Sequence, residues 1–412
     1  MNYVIIGNGP AAVSCVEGIR SIDKDGNITV VSKERHPAYF RPLISYYLEG
    51  KSKAENISCR NESFYTDNNC TVVYGTVTAI DKENKTVILS DSQSIVYDRL
   101  CICSGSSSFV PQITGLDTVE KKFTFLTIDD AFELEKAVDK NSRVLIIGAG
   151  LIGLKCAEGI RDLVKSVTVC DLAPRVLSSI LDDKCAAVVQ KHLEECGIQF
   201  SLANTAERFE NNIAFMKTGE AVEFDVLVLA LGVRANIGFF KDAGGECNRA
   251  IIVENNMQTS IEDIYAAGDC VEQYDISYED KRIMALLPNA NIGGYTAGVN
   301  MAGSKACFDN AIPMNSIGFW GLHMMTAGTY ANDGSARMIE EKTDKGIRRF
   351  FIKDNRLVGF IIIGEVKSVG IYTNLVRNKT DLSEFDIDTL IKNPNLIPFG
   401  ENYRRKTLGG VV

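Results

Sequence analysis

Two glycine-rich stretches, one at the start of the chain and one well inside it, limit what these 412 residues can fold into. The first, YVIIGNGPAAVSC, spans residues 3–15, and the second, VLIIGAGLIGLKCAEGI, spans residues 144–160. In each of them a short β-rich run ends in closely spaced glycines and then continues as a helical pattern. A chain that makes this strand-to-helix transition twice is predicted to contain two copies of one folding unit.

The spacing of the small residues in both stretches suits a turn that holds phosphate groups. These residues are Gly7, Gly9 and Ala12 in the first stretch, and Gly148, Gly150 and Gly153 in the second. The first of each three makes a sharp turn, the second lets the backbone approach a pyrophosphate at a helix N-terminus, and the third lets helix and strand pack closely. Each stretch therefore predicts a dinucleotide-binding turn, with a plain tight loop as the alternative.

An acidic residue follows each stretch, close to the end of the next predicted strand. Glu34 comes shortly after NITVVS, and Asp171 is the last residue of SVTVCD. An acid about 20 residues beyond the glycines accepts hydrogen bonds from the ribose hydroxyls of a dinucleotide. Ser32 holds the strand-end position in the first half, so a solvated surface charge is the alternative for Glu34. A carboxylate at Asp171 favours NADH over NADPH, and Arg175 is the one basic residue that would oppose this preference.

Two separate dinucleotides are the simplest explanation of this repeat, and an internal duplication with one inactive copy is the alternative.

Later in both halves, a strand runs into a turn of small residues, in YDRLCICSGSSSFVP (97–111) and in FDVLVLALGVRAN (224–236). The preceding regions, TVVYGTVTAI in one half and IQFSLANTAERF with NIAFM in the other, alternate apolar and polar residues. They predict a small β-meander in each half.

The remainder of the chain completes the first half and adds a smaller domain. TSIEDIYAAGDC predicts a short strand that ends in a Gly-Asp pair, and NANIGGYTAGVNMAG predicts a helix without a third glycine motif. From about residue 308 the pattern changes to strands, RRFFIKDNRLVGFIIIG, and a closing helix, SVGIYTNLVRN. We expect a first domain of residues 1–114 and 241–307, a second domain of residues 115–240, and a small α+β domain of residues 308–412.

Composition and charge exclude several classes of function. The net charge of −9 disfavours nucleic acid or an anionic membrane surface as the main partner, since both need a concentrated basic patch. No apolar run approaches the ~18 residues that cross a bilayer, and the chain opens on a strand pattern rather than an export signal. The 12 cysteines are scattered, without the paired spacing of a zinc site, and predict reduced thiols in a soluble cytoplasmic protein without a metal.

Five signatures, taken in order, resemble the pyridine-nucleotide disulfide oxidoreductases, a family of flavoproteins that bind two dinucleotides. They are the first glycine turn, YFRPLIS, the CSG turn, the second glycine turn and IYAAGDC. The likeness extends over almost all of the chain. Within the family, the chain is most similar to NADH:rubredoxin oxidoreductases and to the flavin domain of NADH-dependent nitrite reductases. The resemblance implies an α/β fold with two Rossmann-like domains of glutathione-reductase type and a small α+β C-terminal domain.

The resemblance also implies FAD in the first domain and NADH in the second, with the nicotinamide delivered to the flavin. It implies FAD contacts for Gly7, Gly9, Pro10, Ala11, Ala12, Glu34, Arg41, Pro42, Val77, Ser104, Gly105, Gly268 and Asp269. It implies NADH contacts for Gly148, Gly150, Leu151, Ile152, Gly153, Asp171 and Gly232. The residues themselves leave open a surface ion pair for Arg41, a core position for Val77 and a turn or cap role for Asp269.

Departures from the family pattern bear on how electrons leave the flavin. Disulfide reductases of the family carry a CxxxxC pair after the second strand, but here that region is HPAYFRPLISYYLEG, without a cysteine. A thiol relay is therefore not expected, and Cys101 and Cys103 are predicted to share one face of a strand as core residues. Lys155 stands where many relatives have a glutamate, and Tyr46 where oxygenase-linked relatives have a lysine. Lys155 is the candidate catalytic residue, as an ion-pair partner near the flavin, with a structural role as the alternative.

Three functions agree with these features. The first is an FAD-dependent NADH oxidoreductase that passes electrons singly to rubredoxin, a ferredoxin-like protein or an iron–sulfur subunit. The second is an NADH oxidase or peroxidase, and the third is a non-catalytic, redox-sensing flavin subunit. Candidate docking segments for a carrier are FWGLHMM (319–325), Arg348 with Arg349, and NYRRK (402–406), with core packing or solvated charge as alternatives. A homo-oligomer and a multi-subunit complex both stay open.

Overall fold

The structure is a computed structural model that describes residues 1–330, 334–343, 346–383 and 385–392. The first part of the chain forms β1 (Asn2–Ile6), α1 (Pro10–Ile22), β2 (Asn27–Ser32), α2 (Ile44–Leu48), α3 (Phe64–Asp67), β3 (Cys70–Tyr74), β4 (Val77–Asp81), β5 (Thr86–Leu89), β6 (Ser94–Val96), β7 (Arg99–Ile102) and β8 (Ser106–Ser108). The second part forms β9 (Lys122–Phe123), α4 (Ile128–Ala137), β10 (Arg143–Ile147), α5 (Leu151–Ile160), β11 (Ser166–Asp171), α6 (Asp183–Glu195), β12 (Ile198–Leu202), β13 (Ala206–Glu210), β14 (Ile213–Met216), β15 (Ala221–Glu223), β16 (Val226–Leu229) and β17 (Val233–Ala235). The last part forms α7 (Gly238–Asp242), β18 (Ile251–Ile252), β19 (Ile264–Ala266), β20 (Val271–Asp275), β21 (Asp280–Ile283), α8 (Leu287–Met301), β22 (Met314–Phe319), β23 (Leu322–Gly328), β24 (Arg337–Thr343), β25 (Gly346–Lys353), β26 (Arg356–Ile363), α9 (Val369–Arg377) and α10 (Ile387–Lys392).

Two five-stranded parallel sheets repeat one plan. Their strand orders are β19-β7-β1-β2-β3 and β9-β16-β10-β11-β12, so the strand that leads into each glycine turn is central. The backbone N–H of Gly7 donates to the carbonyl of Val31 at 2.8 Å, and that of Gly148 donates to the carbonyl of Cys170 at 2.7 Å. β1 and β10 are apolar runs in which side chains on both faces are buried. The α/β fold class is confirmed.

A three-stranded antiparallel meander follows each sheet's edge strand. β4, β5 and β6 form the first meander, and β13, β14 and β15 form the second. The expectation that all of TVVYGTVTAI and IQFSLANTAERF belongs to these meanders is wrong in part. TVVY lies in β3 and IQFSL is β12, and both are outer strands of the parallel sheets. The meanders begin only after these strands.

The chain beyond the second glycine motif returns to the first sheet. β19, within IYAAGDC, pairs in parallel with β7 at the edge of that sheet. Helix α8 packs on α1 so closely that a Cβ at Gly294 or Gly298 would collide with the backbone of Ala11 or Cys15. The start of the chain and residues 264–301 therefore build the region around the first glycine turn together. The bounds of the three expected domains stay a prediction.

By its contacts the chain divides into two compact units. One comprises Met1–Ser179, Gln190–Tyr274 and Lys281–Asp309, and contains both parallel sheets. The other comprises Ile180–Val189, Asp275–Asp280 and Asn310–Val412.

The second unit contains an antiparallel sheet of order β22-β23-β26-β25-β24. The Tyr372 ring of α9 packs against Phe350 and Phe360, with ring centroids 4.9 and 5.7 Å apart. Its hydroxyl donates to the carbonyls of Leu390 and Ile391 at 3.0 Å, which ties α10 to α9. Among the described residues, every helix is too short or too polar to serve as a membrane span.

Candidate functional site

The first glycine of each motif has a backbone conformation that other residues rarely adopt. The φ angles are +104° at Gly7 and +119° at Gly148, in the region where an L side chain is strained. A Cβ on Gly7 would collide with the carbonyl of Cys103, and a Cβ on Gly148 would collide with that of Ala230. The fold itself therefore requires these two glycines, whatever the turns bind.

The second glycine of each motif is different, because the protein's own packing does not require it. Gly9 and Gly150 precede α1 and α5 with extended backbones, at φ −112° and −81°. No heavy atom other than those of chain neighbours lies within 4 Å of a Cβ built on either residue. Both glycines are N-cap residues, and at the N-terminus of a helix free backbone N–H groups favour an anion. These residues fit a dinucleotide pyrophosphate, and we name residues 7–12 the first cradle and residues 148–153 the second cradle.

The other cradle residues fix the helices that follow. Pro10 occupies the first turn of α1, where its missing N–H is not needed, and Ala11 and Ala12 are buried. A Cβ on Gly153 would collide with the carbonyl of Gly148, so α5 approaches its own turn closely. Leu151 and Ile152 are half-buried at the start of α5.

The acid of the first half is held in place by two neighbours. The Tyr39 hydroxyl donates to one Glu34 oxygen at 2.6 Å, and the Arg41 guanidinium forms an ion pair with the other. Arg41 also donates to the carbonyl of Leu126 at 3.0 Å, and Tyr39 accepts a hydrogen bond from the N–H of Ile128 at 3.0 Å. Glu34 is therefore not a solvated surface charge, and Arg41 forms the ion pair given as its alternative role.

The acid of the second half is tied directly to the second cradle. Asp171 accepts a hydrogen bond from the N–H of Ala149 on one carboxylate oxygen and from the N–H of Ala173 on the other, both at 2.7 Å. These two bonds fix the carboxylate beside the glycine turn. Arg175 donates to the carbonyl of Ser178 at 3.5 Å, a long hydrogen bond.

A pair of short strands joins the small-residue turns of the two halves. Ser104 donates its hydroxyl to the carbonyl of Asn236 at 2.7 Å, and the Asn236 amide donates to the carbonyl of Ser104 at 3.0 Å. The backbone N–H of Asn236 also donates to the carbonyl of Gly105 at 3.0 Å. Gly105 and Gly232 both have positive φ and open space where a Cβ would stand. Asn236 is a residue that the sequence analysis missed, although it ends the repeated GVRAN segment.

Gly268 and Asp269 lie beside the first cradle. A Cβ on Gly268 would lie 3.1 Å from the Cβ of Ala11. Burial raises the pKa of Asp269, and the nearby charge of Arg41 and the Ser106 side chain oppose this shift. Three segments that are distant in sequence thus meet around one carboxylate.

Two further predicted FAD residues lie at the margins of this region. Val77 is the half-buried first residue of β4, opposite Leu89. Two residues before it, the backbone N–H of Gly75 donates to the carbonyl of Ser32 at the end of β2. Pro42 is exposed in a single 3-10 turn between Arg41 and α2.

Lys155 forms an ion pair with Glu158 on the same helix, and its predicted place near the flavin stays a prediction. Its ammonium group also lies over the ring of Tyr46, 4.9 Å from the centroid. The sequence analysis did not single out Glu158, although its spacing of three residues from Lys155 on a helix was a signal. It also missed the contact of His36 with Asp129, at 2.7 Å.

The cysteines are unpaired, and most of them are buried. All 12 are free, and Cys101 and Cys103 are buried with their sulfurs 3.6 Å apart, as core residues on one face. The segment 36–50 has no cysteine. Across the parts of the chain that the structure describes, no group of three or more histidine, cysteine, aspartate or glutamate residues suits a metal ion.

The candidate docking segments have mixed outcomes. The idea that Arg348 and Arg349 form a basic patch is wrong, because their side chains are only 11% and 7% exposed. Arg349 forms ion pairs with Asp182 and Glu340, and these carboxylates neutralise its charge. In 319–325, Phe319 and Met324 are core residues, whereas the other five residues are partly or fully exposed. The NYRRK segment lies outside the described residues.

Comparison with known proteins agrees with this geometry. Residues 1–294 match the family model described as pyridine nucleotide-disulphide oxidoreductase, and residues 313–380 match the rubredoxin NAD+ reductase C-terminal domain. The chain is 29% identical over 394 residues to the NADH-dependent phenylglyoxylate dehydrogenase subunit epsilon of Aromatoleum evansii, covering 92% of each chain. It is 26% identical over 395 residues to the NADH-rubredoxin oxidoreductase of Clostridium acetobutylicum, covering 95% of this chain and 98% of that protein.

Among solved structures, the reductase in a covalent putidaredoxin reductase-putidaredoxin complex has the same fold. It superposes with a TM-score of 0.85 at 24% identity, over 95% of this chain and 98% of that one. The chain spans about half the length of three further relatives, which are nitrite or nitrate reductase components. The predicted resemblance is confirmed, and with it the two cofactors that the family implies, FAD and NADH. This chain belongs to the pyridine nucleotide-disulphide oxidoreductase family.

Proposed function

We propose that this chain is an FAD-dependent NADH oxidoreductase that passes electrons from NADH, through FAD, to an iron–sulfur protein that accepts them one at a time. The observation that carries the proposal is the pair of cradles, each open at its second glycine and each built on one of two matching sheets. The C-terminal match to the rubredoxin NAD+ reductase domain points to the class of acceptor.

The two cradles take different cofactors in this proposal. We assign the FAD pyrophosphate to the first cradle, with Glu34 at the adenosine ribose and Asp269 near the flavin end. We assign NADH to the second cradle, with Asp171 at its ribose. FAD supplies the chemistry that links two-electron hydride transfer to one-electron delivery. The protein's part is to bind and orient the two nucleotides and to exclude water between them.

The acceptor is a soluble one-electron carrier or an iron–sulfur subunit. The absence of cysteine from segment 36–50 leaves no thiol there to form the disulfide relay of other family members. Relatives act with rubredoxin or putidaredoxin, or as a dehydrogenase subunit, by their names. We place the protein in the cytoplasm, where its free cysteines stay reduced.

An anaerobic titration tests the proposal. We expect the FAD-loaded protein to be bleached by stoichiometric NADH and then reoxidised quickly by oxidised rubredoxin or a ferredoxin, and slowly by air. Fast reoxidation by air with no response to carriers would instead identify an oxidase. A flavin that NADH does not bleach would contradict the proposal and favour a sensing subunit.

The anchored carboxylate of Asp171 predicts a preference for NADH. Replacing Asp171 with asparagine keeps an acceptor for one of the two backbone N–H groups and removes the charge that repels a 2′-phosphate. We expect the ratio of Kd values for NADPH and NADH to fall by about tenfold. Asp162→Asn, an exposed aspartate of the same half, is the matched control. An unchanged ratio in Asp171→Asn would contradict the assignment of this ribose site.

A further inference from the structure

A two-stranded ribbon joins the two halves and belongs entirely to the unit that contains both parallel sheets. Its strands are residues 105–109 of the first half and residues 232–236 of the second, and we name them the crossing ribbon. The central three residues of each strand, which are β8 and β17, pair antiparallel in a regular register. The ribbon therefore has a fixed length and a fixed alignment.

Each strand of the crossing ribbon begins at a glycine turn that is predicted to contact a cofactor. Gly105 belongs to the turn predicted for FAD and Gly232 to the loop predicted for NADH, and their φ angles are +64° and +98°. The Gly105 carbonyl accepts from the N–H of Asn236 at 3.0 Å, and the Gly232 carbonyl accepts from that of Phe109 at 2.9 Å. The two glycines thus lie at opposite ends of the ribbon, about 13 Å apart along its strands. The ribbon sets the spacing between the two turns.

Asn236 fixes one end of the ribbon with every polar group that it has. Its side-chain N–H donates to the carbonyl of Ser104 at 3.0 Å, and its side-chain oxygen accepts from the hydroxyl of Ser107 at 2.7 Å. Its own carbonyl accepts from the hydroxyl of Ser104 at 2.7 Å, and its backbone N–H donates to Gly105. All of these partners belong to the other half. A single residue of the second half is therefore bonded at four points to the turn predicted for FAD.

The same end of the ribbon also reaches the segment that holds Asp269. The side chain of Ser106 interacts with the carboxylate of Asp269, and that of Ser104 interacts with the thiol of Cys270. The residues that Asn236 holds are thus the ones that contact the flavin end of the proposed FAD site. A shift of Asn236 would be passed to that end of the site.

We propose that Asn236 is a positioning residue that keeps the nicotinamide of bound NADH at hydride-transfer distance from the flavin. In that step a C–H bond of NADH breaks, a bond from hydrogen to the flavin forms, and the electron pair moves with the hydrogen, which leaves NAD+ and reduced FAD. Each cradle holds one nucleotide by its pyrophosphate, so the two rings meet only if the two halves keep their spacing. A displacement of about 1 Å lowers such a rate by about a hundredfold. In this role Asn236 acts through Ser104 and Gly105, and the inference rests on the proposed function.

Anaerobic stopped-flow bleaching of the FAD-loaded protein by NADH separates positioning from binding. The limiting rate at saturating NADH reports hydride transfer, and the NADH concentration that gives half of this rate reports affinity. For Asn236→Ala we expect the limiting rate to fall at least about tenfold, while the half-saturating concentration stays within about threefold of wild type. The flavin content should be full, because the variant leaves both cradles intact.

Asn300→Ala is the matched control for lost stability. Asn300 is also half-buried, and its side-chain amide forms three hydrogen bonds, at 2.9–3.0 Å, to backbone groups of Asn256 and Ala306. None of these bonds joins the two halves. We expect this variant to lower the thermal unfolding midpoint at least as much as Asn236→Ala and to be bleached at the wild-type rate.

Asn236→Asp provides a second variant if Asn236→Ala does not fold. It has nearly the same shape and still accepts from Ser107, but it has no side-chain N–H for the carbonyl of Ser104, so we expect the same fall in limiting rate. A wild-type limiting rate in a folded variant, an equal fall in Asn300→Ala, or a change confined to NADH affinity would overturn the inference. If NADH bleaches the wild-type flavin, such a result refutes only the role of Asn236. If it does not, the proposed function itself fails.

Discussion

Replacing Gly9 with valine is expected to give a folded protein that has lost its flavin. The backbone at Gly9 is extended, so a β-branched residue fits it, and no heavy atom lies within 4 Å of the added Cβ apart from chain neighbours. Gly9 is the N-cap residue of α1, a position that favours glycine over valine, so the loss of stability is about 1 kcal/mol. The side chain fills the space through which a pyrophosphate reaches the helix N-terminus. FAD affinity should fall by at least about a hundredfold.

The flavin content per polypeptide and the thermal unfolding midpoint measure this outcome together. Gly238→Val is the matched control, because Gly238 also has open space at its Cβ and negative φ, but lies in α7 outside both cradles. It should keep its flavin. Gly7→Val should behave differently from both, because its Cβ collides with Cys103 and the protein should fail to fold. A yellow Gly9→Val protein would show that the first cradle does not hold FAD.

The two cradles and their central strands could be predicted from the sequence because their causes are local. The positive φ of Gly7 and Gly148 requires glycine, and the buried faces of β1 and β10 require apolar runs. The position of Asp171 at a strand end is equally local. Such features depend on neighbours in the chain, which a sequence displays directly.

The misassigned strands failed for a physical reason. β3 and β12 are the outer strands of their sheets, so parts of them are exposed and their residues alternate. An alternating pattern reports partial exposure and does not distinguish an edge strand of a parallel sheet from a strand of a meander. The strand β16, which was assigned correctly, is buried throughout.

Individual side-chain contacts between distant segments could mostly not be predicted. Arg41 with Glu34 is close in sequence, but Lys155 meets Tyr46 only because α5 packs on α2. In the same way, Arg349 was predicted to bind a docked partner, but it forms an ion pair with Asp182, a residue far from it in the chain. Charge in a sequence shows that a partner is needed, and the fold decides whether the partner is solvent or another residue.

Replacing Gly150 with valine is expected to separate the two cofactors within one protein. The second cradle repeats the first, with an extended backbone at Gly150 and open space at its Cβ, so the variant should fold and stay yellow. The valine side chain fills the space assigned to the NADH pyrophosphate. We therefore expect the rate of anaerobic flavin bleaching by NADH to fall at least about a hundredfold. Dithionite should still reduce the flavin fully, since the first cradle is unchanged.

The opposite phenotypes of Gly150→Val and Gly9→Val are a stronger test than either variant alone. General damage to the fold would remove flavin and NADH reactivity from both proteins, because the strands joined at Ser104 and Asn236 connect the two halves. If the two cofactors are assigned correctly, Gly9→Val is colourless, whereas Gly150→Val is yellow and does not react with NADH. If Gly150→Val loses its flavin while Gly9→Val keeps it, the two cradles hold the cofactors in the reverse order. If Gly150→Val is bleached at the wild-type rate, NADH reaches the flavin without the second cradle, because the side chain at residue 150 fills only that site.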